Sequence, residues 1–508
     1  MARGFNKLGE KKKQSLLGGG LEKIEKQHKA GKLTARERIE ILLDRDSFEE
    51  YGVYMEHRCV DFDMEDKKCS GDGVVTGSGT INGRLVFVYA QDFTVIGGTL
   101  GQAQSQKIER IINMAMKTKA PVIGMLDSGG ARIQEGVDAL GGYGKIFQRI
   151  VDSSGIIPQI SLIMGPCAGG AVYAPALTDF IFMTEKTSFM FLTGPDVVKT
   201  VTFENVDKET LGGTSVHGAI SGVADNVFCN DIEVLLQTRR LFDFLPLNNM
   251  DSIPEITTDD DTDRIDVSLN TLIPENDNQA YDMKELIFKI IDEGNFFELK
   301  PNFAKNIIIG FARMEGRTVG IVANQPLELA GALDINASRK AARFIRFCDA
   351  FNIPLISLVD VPGFLPGTSQ EYNAIISHGA KLLYAYAESS VPKITIITRK
   401  AYGGAYIVMN SRHLRGDLNY AWEQAEIAVL GAESAINIIY KDLSPEEKIK
   451  KIREYRDKFS TPFFAASRGY IDEVIKPQST RKRICDGLKF LKNKDVKLPR
   501  RKHDNLPL

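Results

Sequence analysis

The chain has 508 residues, of which 64 are basic and 66 acidic, for a net charge of -2 at pH 7. That length holds two or three domains with sizeable cores, and the even charge balance argues against the basic stripe that nucleic-acid binders carry. The six cysteines, at 59, 69, 167, 229, 348 and 485, form no Cys-x-x-Cys pair, so a zinc ribbon is excluded and free thiols in a reducing compartment are expected.

In chain order, the stretch to Arg38 is rich in lysine (Lys11-Lys12-Lys13, Lys23, Lys26, Lys29, Lys32). Glu10, Glu22, Glu25 and Glu37 are interleaved with these lysines, and the segment reads as a solvated helical face. "LLGGGL" is too short and too glycine-rich for the apolar part of a signal peptide. Residues 21–45 are predicted helical, with a capping box at Thr34-Ala35-Arg36-Glu37 ahead of the apolar Ile39–Leu43. Gly71 to Gly83 offers glycines like a dinucleotide fingerprint, but it leads into the strand Leu85–Ala90, so hairpin turns are predicted. Ser105–Lys117 has helical spacing, and Val122–Leu126 and Ile160–Met164 read as buried strands. Gly155 to Thr178 carries no charge over 24 residues, enough to span a bilayer. Pro158, Gly165-Pro166, Gly169-Gly170 and Pro175 interrupt it, and a strand, a turn and a helix start fit better.

The polar, acidic stretch from Asp251 to Asp266 reads as a linker. Beyond it "NIIIGFARMEGRTVGIVANQ" predicts two strands around a Glu-Gly turn, Ser338–Phe351 a helix, and Ser444-Pro445-Glu446-Glu447 a helix start with serine as cap. The second half repeats the first. "APVIGMLDSGGARIQEG" at Ala120 and "IIPQISLIMGPCAGGA" ending at Ala171 return as "IPLISLVDVPGFLPG" at Ile353 and "VPKITIITRKAYGGA" ending at Ala405. Pro121 and Asp127 match Pro354 and Asp360 at a spacing of 233, and Pro158 and Gly169-Gly170 match Pro392 and Gly403-Gly404 at 234. The repeat implies two homologous α/β domains, covering residues 1–255 and 270–508. It also implies two similar pockets, suited to two ligands of related chemistry.

Each Gly-Gly follows an apolar strand and is predicted to open a helix. Glycine lets the backbone approach a ligand, and a helix start supplies outward N–H groups and partial positive charge. Two such N–H groups form an oxyanion hole for a developing enolate. Few titratable groups flank the turns. Cys167 reads as core, and His378 and His413 lack a triad pattern, so any chemistry would work by positioning and electrostatics. No Walker A pattern occurs. Ala115-Met116-Lys117-Thr118 is like a biotin-carrying tetrapeptide, but Lys117 ends a predicted helix where a hairpin is needed, so biotin is not expected on this chain.

These residues resemble the carboxyltransferase subunits of biotin-dependent acyl-CoA carboxylases, within them those acting on propionyl-CoA. Matching stretches include "KLTARERIEILLD", "DSGGARIQEGV", "FLTGPDVVKTVT", "LGGTSVHGAISGVA", "FCDAFNIPLISLVDVPGFLPGT" and "TRKAYGGAY", and the resemblance runs from about residue 20 to 475. It implies a tandem pair of crotonase-like domains, an acyl-CoA side followed by a carboxybiotin side. Carboxybiotin on a separate carrier would release CO2, and the biotin enolate would sit on the N–H groups of Gly404 and Ala405. Biotin would take the α-proton of the acyl-CoA. The thioester enolate would sit on Gly169 and Gly170, or one residue on at Gly170 and Ala171, and attack CO2. Gly129, Gly130 and Arg132 would lie near the CoA, and Pro362, Gly363 and Phe364 near biotin.

The resemblance further implies a hexamer of two stacked trimers with sites shared between subunits, and partners that supply the biotin carboxylase and carrier, as separate chains or as one combined alpha subunit. No metal, nucleic acid or membrane insertion is expected. A cytoplasmic protein is expected, with the mitochondrial matrix after presequence removal as the alternative. One departure concerns Ile407, where propionyl-CoA carboxylases often carry Asp. Isoleucine there is also found in acetyl-accepting relatives, methylmalonyl-CoA decarboxylases and transcarboxylases, so the acyl group and the net direction stay open. A non-catalytic assembly scaffold is the reading from another class.

Overall fold

The computed structural model describes residues 2–276 and 279–507, which form two compact units that meet in sequence at Asp251 and Ser252. The first unit is built on one sheet. Its strands are β1 (Glu49–Glu50), β2 (Val74–Ile81), β3 (Arg84–Gln91), β4 (Val122–Ser128), β5 (Gln159–Ala168), β6 (Phe180–Thr184), β7 (Phe189–Phe191) and β8 (Asn226–Phe228). Their order is β1-β2-β3-β4-β5-β6-β8, with β7 also paired to β5. β2 and β3 are an antiparallel hairpin turning at Asn82 and Gly83, which have φ of +50° and +75°, as a hairpin turn with two left-handed residues requires. From β3 onward the pairs are parallel. β4, β5 and β6 are buried along nearly their whole length and mostly apolar because they are covered on both faces. The helices Gln102–Thr118 and Val137–Ser153 supply Ile108, Ile111, Ile112, Ile146 and Ile150 to one side of the core.

The second unit repeats this plan with β9 (Phe297–Leu299), β10 (Ile307–Met314), β11 (Arg317–Asn324), β12 (Leu355–Val361), β13 (Lys393–Tyr402), β14 (Leu418–Trp422), β15 (Glu426–Ala428) and β16 (Glu473–Ile475). The order is β16-β14-β13-β12-β11-β10-β9, with β15 paired to β13. The expected Glu-Gly turn joins β10 to β11, with Glu315 at φ +54° and Gly316 at +78°. The repeat reaches below the strands. Lys107 and Lys340, 233 apart, are both buried, and each donates to backbone carbonyls: Lys107 to Gly71 and Val74, Lys340 to Lys300, Phe303, Ala304 and Ile307.

Two expectations change. The helix predicted over 21–45 is two helices, Leu21–Lys29 and Ala35–Leu42. Gly31, at φ +77°, ends the first in the left-handed conformation favoured at helix C-termini. Thr34 starts the second through the capping box, with Thr34 N–H 2.7 Å from the Glu37 carboxylate. The acidic stretch 251–266 is not a free tether but a strap on the second unit. Ile256 N donates to Gly316 O at 3.0 Å, and Arg264 forks onto Asp260 at 2.7 and 3.0 Å and donates to Lys289 O. It is held by polar bonds, so it shows no apolar period. The uncharged run 155–178 is β5 and the turn after it, as expected. Among the described residues no helix is long and apolar enough to cross a membrane.

Candidate active site

The long strands β5 and β13 each change partners halfway. Ile160–Ile163 pair with β6 and Pro166–Ala168 with β7; Ile394–Ile397 pair with β14 and Lys400–Tyr402 with β15. At the crossover the register with the neighbour on the other side breaks. Leu126 faces Ile163 but Ser128 faces Cys167, and Val359 faces Ile397 but Val361 faces Ala401. Two extra residues of β5 and β13 therefore bulge opposite Asp127 and Asp360, as β-bulges beside functional sites do. Beyond each bulge the strand ends in its Gly-Gly.

Gly169 and Gly403 sit at φ +66° and +56°, which an L side chain resists. They swing the chain into a short 3-10 turn at Gly169–Val172 and a helix at Gly403–Val408. The first N–H groups of such turns have no intrahelical acceptor. Gly170 and Gly404 are exposed, with nothing within 4 Å of where a Cβ would stand, while Ala171 and Ala405 are buried. Each unit thus presents a backbone donor edge with open space before it, the arrangement an oxyanion needs.

The other candidates divide. Gly129 and Gly130 follow β4. A Cβ on Gly130, at φ +103°, would stand 2.9 Å from Ala168 O, so this loop lies directly against the strand end that carries Gly169. Gly129 is exposed. Arg132 is not on that surface. It is buried, bonded to Asp72 at 2.7 Å, Glu135 at 2.8 Å and Thr99 O at 3.0 Å, so its guanidinium braces the loop from below. In the second unit Pro362, Gly363 and Phe364 are half-buried. Gly363 O accepts from Leu333 N at 3.0 Å, and the Phe364 ring closes on Gly379. Ile407 is half-buried in the helix opened by Gly403.

In the sequence Asp127 and Asp360 stand out only as landmarks of the repeat. Both are fully buried. Asp127 accepts from Gln27 Nε2 at 3.0 Å, Lys32 Nζ at 2.7 Å and Arg38 Nη1 at 3.0 Å, and Arg38 is shared with Asp231 at 2.8 Å. Asp360 accepts from Arg399 Nε at 2.9 Å and Lys400 N at 3.1 Å. Burial pushes the Asp360 carboxyl up, against the pull of Arg399. Burial also raises the Cys167 thiol to about 12, so it is a core residue and not a nucleophile. Lys32, read as part of a solvated face, is buried beside Phe93, 4.7 Å from the ring centroid. With Lys23, Lys26, Pro166 and Lys186 it lines a cavity of about 420 Å³. Among the described residues no cluster of His, Cys, Asp and Glu suits a metal ion.

Comparison with known proteins agrees with this duplicated plan. The model of the carboxyl transferase domain matches residues 26–506. The propionyl-CoA carboxylase beta chain of Roseobacter denitrificans is 61% identical over 99% of both chains, and the methylmalonyl-CoA decarboxylase subunit alpha of Veillonella parvula is 55% identical over 99% of this chain and 98% of its own. A crystal structure of transcarboxylase 12S, a hexamer with methylmalonyl-coenzyme A and methylmalonic acid bound, superposes with a TM-score of 0.98 at 49% identity, covering 100% of this chain and 99% of that one. The duplicated sheets, the paired bulges and turns, and matches over nearly the full length lead to one conclusion: the chain belongs to the carboxyl transferase family, with the two-domain crotonase-like fold, and is a carboxyltransferase.

Proposed function

We propose that this enzyme moves CO2 from carboxybiotin, borne by a separate partner, to the α carbon of propionyl-CoA or a similar short acyl-CoA, giving methylmalonyl-CoA. The observation that carries the reading is the pair of Gly-Gly donor edges in register, each with open space before it. Carboxybiotin supplies the CO2 and, once it has given it up, the base that takes the α-proton. Its ureido carbonyl oxygen would be held by the N–H groups of Gly404 and Ala405 at an unhindered helix start. The thioester enolate carries its charge on oxygen. The N–H groups of Gly169 and Gly170, or Gly170 and Ala171, hold that charge while the α carbon bonds to CO2. The basic cavity upstream on β5, with Lys23, Lys26, Lys32 and Lys186, suits the phosphates of the CoA nucleotide. The likeness to the transcarboxylase hexamer supports a hexameric assembly, and the relatives named above support partners that load biotin. The test is reconstitution with biotin carboxylase, carrier, ATP and bicarbonate: methylmalonyl-CoA formed from propionyl-CoA is expected, and no carboxylation of acetyl-, propionyl- or butyryl-CoA sinks the reading.

A second reading keeps the residues and reverses the flow, decarboxylating methylmalonyl-CoA inside a larger complex. Ile407 and the Veillonella relative favour it. Copurification with a biotin carboxylase and no membrane subunit counts against it. A scaffold without chemistry has no support from a fold that keeps both donor edges.

A further inference from the structure

We propose that Asp127 and Asp360 are paired positioning residues, each holding the strand bulge that aims its unit's Gly-Gly turn. The proposal rests on the carboxyl-transfer reading and adds to it two carboxylates that touch no substrate. Each unit must deliver a backbone N–H pair at a fixed angle from the end of a strand that has just changed partners. A bulge alone does not fix that angle, because its residues leave the ladder. In the second unit the carboxylate opposite the bulge bonds to it directly, and in the first it is tied to the bulge through Arg38.

The two units do this with different cations, which argues for the carboxylate as the required part. In the second unit the bulge bonds to Asp360 directly, through Lys400 N at 3.1 Å and Arg399 Nε at 2.9 Å, and Arg399 anchors outward on Gln279 O at 2.8 Å. In the first unit the residue matching Arg399 is Gly165, where a Cβ would stand 1.9 Å from Asp127 Oδ1, so the bulge backbone rests on the carboxylate itself. The cation comes instead from the N-terminal segment. Arg38 spans from Asp127 at 3.0 Å to the bulge carbonyl of Met164 at 2.9 Å, and Lys32 adds a second ion pair at 2.7 Å. The backbone behind each carboxylate is clamped alike: Cβ atoms on Gly98 and Gly331 would stand 2.2 and 2.4 Å from the carbonyls of Asp127 and Asp360. The donors come from the N-terminal segment in one unit and from the strand itself in the other, yet in both the bulge beside the carboxylate leads to the Gly-Gly N–H groups. A misplacement of about 1 Å at such groups costs about 10²-fold in rate.

The experiment uses the full chain, methylmalonyl-CoA as donor and free biotin as acceptor, with Asp127→Asn and Asp360→Asn compared with the parent. Rates are expressed per folded protein. A positioning role predicts kcat lower by about 10²-fold, KM for methylmalonyl-CoA changed less than about threefold, and a crystal structure of either variant with its own turn rotated and the other unit's turn in place. A purely structural role predicts less folded protein with kcat intact, and that result overturns the proposal. If the Asn variants do not fold, Arg38→Lys and Arg399→Lys keep the charge and remove the guanidinium fork that links carboxylate to backbone; kcat within threefold of the parent in both contradicts the proposal. A parent that transfers no carboxyl group refutes the underlying reading first, and the proposal with it.

Discussion

At the scale of single residues, glycines with the same side chain have separable duties. Gly403 needs its positive φ, and Ala there should cost about 1–2 kcal/mol through the left-handed penalty. Gly404 has no such φ and no neighbour within 4 Å of a Cβ, so Gly404→Ala should leave thermal stability unchanged or raise it by up to about 1 kcal/mol. Any loss of turnover in that variant reports space taken from the ligand; a destabilised Gly404→Ala would contradict this division. Ile407 poses a question of specificity. An apolar contact discriminates one methylene by about 1–3 kcal/mol, so acetyl-CoA should be accepted measurably beside propionyl-CoA. Comparing kcat/KM for both thioesters in the parent and in Ile407→Asp decides it, and an unchanged ratio in a folded variant shows that this side chain does not set the choice.

At the scale of elements, the duplicated buried lysine is open to a direct test. Lys340 donates to four carbonyls; Lys300 O and Ala304 O keep backbone donors without it, and Lys340→Met should cost about 3 kcal/mol through the lost bonds. Burial also lowers Lys340 to about 7, below the ordinary lysine value it has when unfolded. From pH 7 to about 10 the unfolded chain therefore binds a proton that the folded chain releases, and the contribution of Lys340 to stability rises with pH across that window. Denaturant midpoints should show the gap between parent and Lys340→Met widening from pH 7 to 9; a gap that narrows refutes the sign. The capping box at Thr34 gives a simpler case: Thr34→Ala should cost about 1 kcal/mol.

Elements of this kind also show what the sequence made legible. The apolar runs of β4, β5, β12 and β13, the Glu-Gly hairpin, the capping box at Thr34 and the serine cap at Ser444 were readable because local pattern and tertiary role coincide. The helix break at Gly31 was missed because the amphipathic period of 21–45 outweighs one glycine. The strap 251–266 was missed because its partners, Gly316 and Lys289, are distant in sequence. The same holds at the site. The Gly-Gly turns repeat as motifs, whereas the donors around Asp127 come from Gln27, Lys32 and Arg38 and leave no local signal. The one clue was the 233-residue match of Asp127 with Asp360, together with Gly165 where the other copy has Arg399.

At the scale of the whole molecule, one domain type used twice fits a reaction in which charge builds on oxygen in both partners. On the proposed reading the same donor edge serves both, with no nucleophile from the chain itself. Whether the backbone N–H groups do the chemistry is therefore the central question. Gly404→Pro removes one N–H at the first turn of a short helix, where proline is tolerated, and leaves every side chain in place. The decisive measurement is kcat for carboxyl transfer from methylmalonyl-CoA to biotin in the parent and in Gly404→Pro, with folding checked by thermal melting. The account predicts a loss of about 10²–10³-fold, the usual effect of deleting one oxyanion-hole donor, at an unchanged melting temperature. Full turnover in the folded variant would contradict it.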